Sequence, residues 1–136
     1  MGIQSIISID AMSGDLGAEV VVRAAAASWE KHSGLELVLV GNEEELAGLV
    51  TRIIGNDDRL RIVHAAEVVS MCDSPRDAVR HKKDSSMRVA IDLVKSGEAQ
   101  ACVSAGNTGA LMATAKIVLK MLPGIERPAI LAELTA

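Results

Sequence analysis

Three short segments of this 136-residue chain carry residue types that can hold a small anion. Ser104-Ala105-Gly106-Asn107-Thr108-Gly109-Ala110 combines two glycines with three small polar side chains. A ligand there could approach bare backbone while hydroxyl and amide groups donate to it. Lys82-Lys83-Asp84-Ser85-Ser86-Met87-Arg88 sets basic groups beside two serines, and the loop from Asp10 to Gly17 supplies Asp10, Gly14 and Asp15. A helix start offers unpaired backbone N–H groups and a partial positive charge, which suits phosphate. Each segment also has a plainer reading. Asn107 or Thr108 could cap a helix with Gly106 making the turn, the basic run could be a solvated helix face, and the aspartates could cap turns.

Other chemistry finds little support. His32, His64 and His81 stand on separate segments at no metal-ligand spacing, so no metal is expected. No nucleophile elbow, Walker loop or dinucleotide glycine fingerprint occurs. Cys102 falls inside an apolar run and reads as a small core residue. The inventory favours binding and orienting an anion over covalent catalysis.

The elements that must position these groups follow from apolar spacing. Ile3 to Ile9, Leu35 to Val40, Leu60 to Val63, Ala101 to Val103 and Pro128 to Leu134 read as strands. Between them lie helical stretches over Glu19–Ser33, after the Asn42 cap with Glu45 three residues on, after Ser74-Pro75, after Ser85 or Ser86, and over Asn107–Met121. Met87, Ala90, Ile91 and Val94 form the expected buried face of the fourth helix, which Gly97 ends. Short apolar strands alternating with helices predict an α/β domain with a mostly parallel sheet covered on both faces. Ligands in such folds sit beyond the carboxyl ends of the strands, where all three polar segments fall. Residues 1–136 read as one domain, expected to be the first part of a longer enzyme and inactive by itself.

Composition narrows the function classes. Trp29 is the sole aromatic residue and the net charge is −4, so there is neither a stacking platform nor an electrostatic attraction for nucleic acid. Two separated cysteines fit a reducing compartment. No apolar run approaches the roughly 18 residues that span a bilayer, and no signal peptide or myristoylation pattern is visible. A soluble, cytoplasmic protein is expected.

Taken in order, Ile9 to Gly17, His64 to Val69, Lys82 to Val94, Ala101 to Met112 and Leu122 to Ile130 resemble the bacterial phosphate acyltransferase family, the acyl-acyl carrier protein:phosphate acyltransferases of phospholipid synthesis. The resemblance runs along the whole chain, but members are more than twice as long, so it covers their N-terminal part. Two departures fall in the first loop, where Ser13 and Ala18 stand in place of a usual Gly and Pro. A Gly held there at positive φ would leave Ser13 strained.

The resemblance implies a Rossmann-like three-layer α/β/α sandwich similar to phosphotransacetylases, a homodimer, and no organic cofactor. The implied reaction joins inorganic phosphate to the acyl group of acyl-acyl carrier protein, and it leaves room for peripheral membrane contact through residues outside this chain. Phosphate is the nucleophile, so neither Ser nor Cys is needed as one. On matching positions, phosphate binding falls to Ser104, Gly106, Asn107, Thr108 and Gly109, with Lys83, Ser85 and Ser86 in support. Lys82 or Arg88 would neutralise transition-state charge, Asn107 counts with them as catalytic, and Asp10, Gly14 and Asp15 would order the surrounding loops. Arg76 and Arg80 are candidates to meet the acidic carrier protein. A coenzyme A-dependent phosphotransacetylase and a non-catalytic anion- or nucleotide-binding module are the competing readings.

Overall fold

The computed structural model describes residues 4–135. Four parallel strands, β1 (Ser5–Asp10), β2 (Leu35–Gly41), β3 (Leu60–His64) and β4 (Ala101–Ser104), lie in the order β3-β2-β1-β4. Central β2 shows why the strands are so apolar. Leu37 and Leu39 face one layer, Val38 and Val40 the other, and all four are buried.

Helices α1 (Gly17–Lys31) and α2 (Glu43–Ile53) cover the Leu37/Leu39 face, packing Val22, Ala25, Leu46 and Val50 against it. Helix α4 (Ser86–Ser96) covers the opposite face with Ala90 and Leu93, and the Ser8 hydroxyl of β1 donates to the Ala90 carbonyl at 2.7 Å. Helices α3 (Pro75–His81) and α5 (Thr108–Leu119) extend that layer, joined to α4 by Val69, Ala78, Met87, Ile91, Ala110 and Val118. The result is the three-layer, Rossmann-like α/β arrangement that the sequence predicts. No helix among the described residues is long and apolar enough to cross a membrane.

Caps fix where the helices start. Asn42, Ser74, Ser85 and Asn107 each accept a hydrogen bond from the backbone N–H three residues on. Gly97 ends α4 at φ 83°, in the left-handed region. Two helices depart from their expected limits, and Ile3, the expected start of the first strand, lies outside the described residues. Helix α1 runs Gly17–Lys31 rather than Glu19–Ser33, since its alanine-rich sequence has no sharp apolar phase, and α5 stops at Leu119, where Lys120 turns to φ 68°.

One expected strand does not form. Residues 128–134 are irregular and exposed, with Leu131 96% accessible. A strand needs a neighbour to take its backbone hydrogen bonds, and none of the described strands pairs with this segment. The outer face of β4 is likewise uncovered, with Ala101 and Val103 exposed.

Candidate functional site

The strand order makes a switch point. From β1 the chain moves one way to β2 and β3, then crosses to the other side of β1 to lay down β4. The loops leaving β1 and β4 lie at the carboxyl ends of these strands, the usual ligand position in such sheets. Asp10 and Ser104, the last residues of the two strands, stand in register.

A buried clasp joins them. The Ser104 hydroxyl donates to Asp10 Oδ2 at 2.7 Å, the Ser13 N–H donates to Asp10 Oδ1 at 3.3 Å, and the Gly106 N–H donates to Ser104 Oγ at 3.1 Å. Asp10 is 1% exposed, so its carboxylate is satisfied by these two loops rather than by solvent. Ser104 spends its hydroxyl proton on the clasp.

The loops touch through glycine. A Cβ on Gly106 would lie 2.6 Å from Ser13 Cβ and 3.3 Å from Met87 Cε, so only a bare α-carbon fits between the first loop and the first turn of α4. A Cβ on Gly14, at φ 109°, would lie 3.3 Å from Ala105 Cβ. Two hydroxyls, Ser13 Oγ in the first loop and Ser86 Oγ at the start of α4, are buried without any hydrogen-bond partner among the described residues. An enclosed hydroxyl left unpaired costs about 1–3 kcal/mol, so such groups call for a bound species.

Asn107 has a different occupation. Its Oδ1 caps α5 by accepting from the Ala110 N–H, while its Nδ2 donates to the carbonyls of Ser70, Met71 and Asp73 at 3.3, 3.3 and 2.8 Å. Lys82 serves the same loop, donating to Asp73 Oδ2 and to the Val68 carbonyl. The Lys82 ammonium, with the Ser70 N–H, holds the Asp73 carboxyl below its usual range. Gly109 lets α5 approach α3, since a Cβ there would stand 3.0 Å from Pro75 Cγ. Thr108 and Asp15 are exposed.

The remaining basic groups gather elsewhere. Arg80, Lys83 and Arg88 line a shallow depression of about 390 Å³ with Val79 and Ile117, on the α3–α4–α5 layer. Arg88 Nε is engaged by Asp92 Oδ1 at 3.1 Å. A second depression, about 440 Å³, lies where α2 begins and is lined by Asn42, Glu43, Glu44, Ala47 and His64. His64 Nδ1 accepts from the Glu43 N–H there. Burial, and secondarily the nearby Asp10 charge, pushes the Cys102 thiol up, which suppresses the thiolate a nucleophile would need. Among the described residues no cluster of His, Cys, Asp or Glu is arranged to hold a metal ion.

A family model described as fatty acid synthesis protein matches residues 6–135. The chain belongs to that family. Similar curated proteins include one from Methylococcus capsulatus, 63% identical over 129 residues, covering 93% of this chain and 38% of that protein. One from Coxiella burnetii is 57% identical over 128 residues, covering 93% of this chain and 37% of its own length, and one from Legionella pneumophila is 56% identical over 129 residues, covering 94% and 38%. All three carry the name Phosphate acyltransferase. The chain thus spans under two fifths of the length of these relatives.

Within this family member, Asp10, Gly14, Ser104 and Gly106 come together, and the Met87 side chain reaches Gly106 from the first turn of α4, where Ser85 is the cap and Ser86 the first helical residue. Lys83 and Arg88 line the separate depression, Lys82 and Asn107 hold the 68–73 loop, and Thr108, Gly109 and Asp15 have no bond to the clasp. Sequence reasoning missed Ser13 as a site residue. Its departure from the family wording was the available signal. The feared strain is absent, because the left-handed conformation belongs to Gly14, which is retained. Ala18 is buried at the start of α1, which begins without a proline or a side-chain cap.

Proposed function

We propose that the chain contributes the phosphate seat of an enzyme that transfers a fatty acyl group from acyl-acyl carrier protein to inorganic phosphate, giving acyl phosphate for phospholipid synthesis. Family membership and the shared name of the relatives support the reaction class. The geometric observation that carries the seat is a pair of buried hydroxyls without a partner among the described residues, Ser13 in the loop whose N–H joins the Asp10–Ser104 clasp and Ser86 at the start of α4. Unfilled hydrogen-bonding capacity beside a helix N-terminus is what an anion would satisfy.

In this reading the Gly14 and Gly106 loops and the first turns of α4 and α5 surround the phosphate, with Ser85, Thr108 and Gly109 at the margin. A phosphate oxygen attacks the thioester carbonyl carbon, the new C–O bond forms, and the C–S bond breaks to release the carrier's thiolate, which takes up a proton. That leaving group is a good one, since thiols ionise near pH 8.5, about where their reference value lies. The protein's part is to desolvate and orient the phosphate and to stabilise the oxyanion on the carbonyl. Asp10 and Ser104 act by holding the loops, and Asn107 and Lys82 by holding the neighbouring 68–73 loop. Arg88 would reach reacting atoms only after leaving Asp92. The enzyme works in the cytoplasm as a homodimer without a cofactor, with any membrane contact made by residues outside this chain.

The test is an assay of the full-length protein with acyl-acyl carrier protein and phosphate, run beside coenzyme A thioesters. Phosphate-dependent acyl phosphate formation, faster from the carrier protein, is expected. No acyl phosphate, or equal use of coenzyme A, overturns the assignment.

A further inference from the structure

We infer that the depression lined by Val79, Arg80, Lys83, Arg88 and Ile117 is a docking face for an acidic, amphipathic helix of a protein partner. Three cations border about 390 Å³ in a chain whose net charge is −4, so the patch runs against the overall balance. Two nearby acids are bonded to other groups rather than paired with these cations. Asp84 Oδ2 accepts from the Ala66 N–H, and Asp77 is bonded to Ser74. Only Asp92, on Arg88, engages one of the three cations. Arg80 and Lys83 have no ion pair among the described residues.

The shape favours a protein over a small anion. Arg80 and Lys83 are exposed around an open depression rather than held in a closed pocket, and Val79 and the 47% exposed Ile117 give its lining apolar surface. An apolar centre within a charged rim is the anatomy of a protein interface, where the rim sets approach and register and the centre supplies contact. An acidic helix would lay carboxylates against the three cations and one apolar side chain between Val79 and Ile117. The inference rests on the proposed acyl transfer only for its probe, the acyl carrier protein.

The experiment measures binding of acyl carrier protein to the full-length protein and to its Arg80→Glu, Ile117→Asp and Lys31→Glu variants, with circular dichroism to confirm folding. Lys31→Glu makes the same charge reversal as Arg80→Glu, but on exposed α1, across the sheet. Arg80→Glu and Ile117→Asp should each weaken binding about fivefold or more while Lys31→Glu leaves it unchanged, and added salt should weaken the wild-type complex. Equal binding by all variants overturns the docking face and leaves the acyl transfer, assayed separately, untouched. Absence of binding also overturns it. Arg80-dependent binding to phosphatidylglycerol vesicles without carrier-protein binding would reassign the face to a membrane and overturn it as well.

Discussion

Ser104 and Asp10 end neighbouring strands in register and are joined by a 2.7 Å hydrogen bond from the serine hydroxyl to the carboxylate. Everything at the switch point hangs on that bond, because the same carboxylate takes the Ser13 N–H and the same hydroxyl takes the Gly106 N–H. Ser104→Ala leaves a buried carboxylate oxygen unpaired and should cost about 1.5–3 kcal/mol, the range for hydrogen bonds to charged groups. Urea unfolding measures it. A loss within a few tenths of a kcal/mol would mean that the clasp does not form in solution.

Gly106 and Ser13 make a second, steric relationship with a sharper test. A Cβ on Gly106 would come 2.6 Å from Ser13 Cβ, so Gly106→Ala should destabilise the chain by about 1–3 kcal/mol through overpacking. Ser13→Gly removes the obstructing atom, so the double variant should recover part of that loss, with a coupling energy of about 0.5–3 kcal/mol. Additive losses would show that the two loops are not in contact.

Much of this was legible because it is local. Asn42 with Glu45, Ser74 before Pro75 and Ser85 each cap a helix within three residues of themselves, and the Met87, Ala90, Ile91 spacing finds the buried face of α4. That same spacing turns Arg88 off the Met87 face, since successive helical residues point about 100° apart. What escaped is long-range. Asn107 reaches carbonyls 34 to 37 residues away, which no spacing announces. An orphaned hydroxyl is a property of its surroundings, so Ser13 could be seen only as an unusual residue. Residues 128–134 have strand-like composition, but composition supplies no neighbouring strand.

Asn107 separates a holding role from a chemical one. Asn107→Asp keeps the cap acceptor for the Ala110 N–H but replaces the amide donor with an oxygen facing three carbonyls. Hydrogen exchange within residues 68–73 should rise at least tenfold while the start of α5 stays protected, because an acidic cap suits a helix N-terminus. Unchanged exchange in that loop would return Asn107 to the list of groups free to meet substrate.

Trp29, the sole aromatic side chain, makes an acid titration easy to follow. Its ring lies 4.4 Å beneath the Arg59 guanidinium, which Asp57 holds through two hydrogen bonds. Hydrogen bonding from Arg59 lowers the Asp57 carboxyl from 3.8 to about 2. A depressed carboxylate contributes stability that is present above its unfolded value and lost as pH falls through the folded one. Asp57→Asn should therefore lower the unfolding midpoint, read by Trp29 fluorescence, at neutral pH. The gap from wild type should close between pH 3.8 and about 2. The effect should be small and salt-sensitive, because the pair is solvent-accessible. A gap of the same size at the acid end would show that the charge on Asp57 is not what holds Arg59 over the ring.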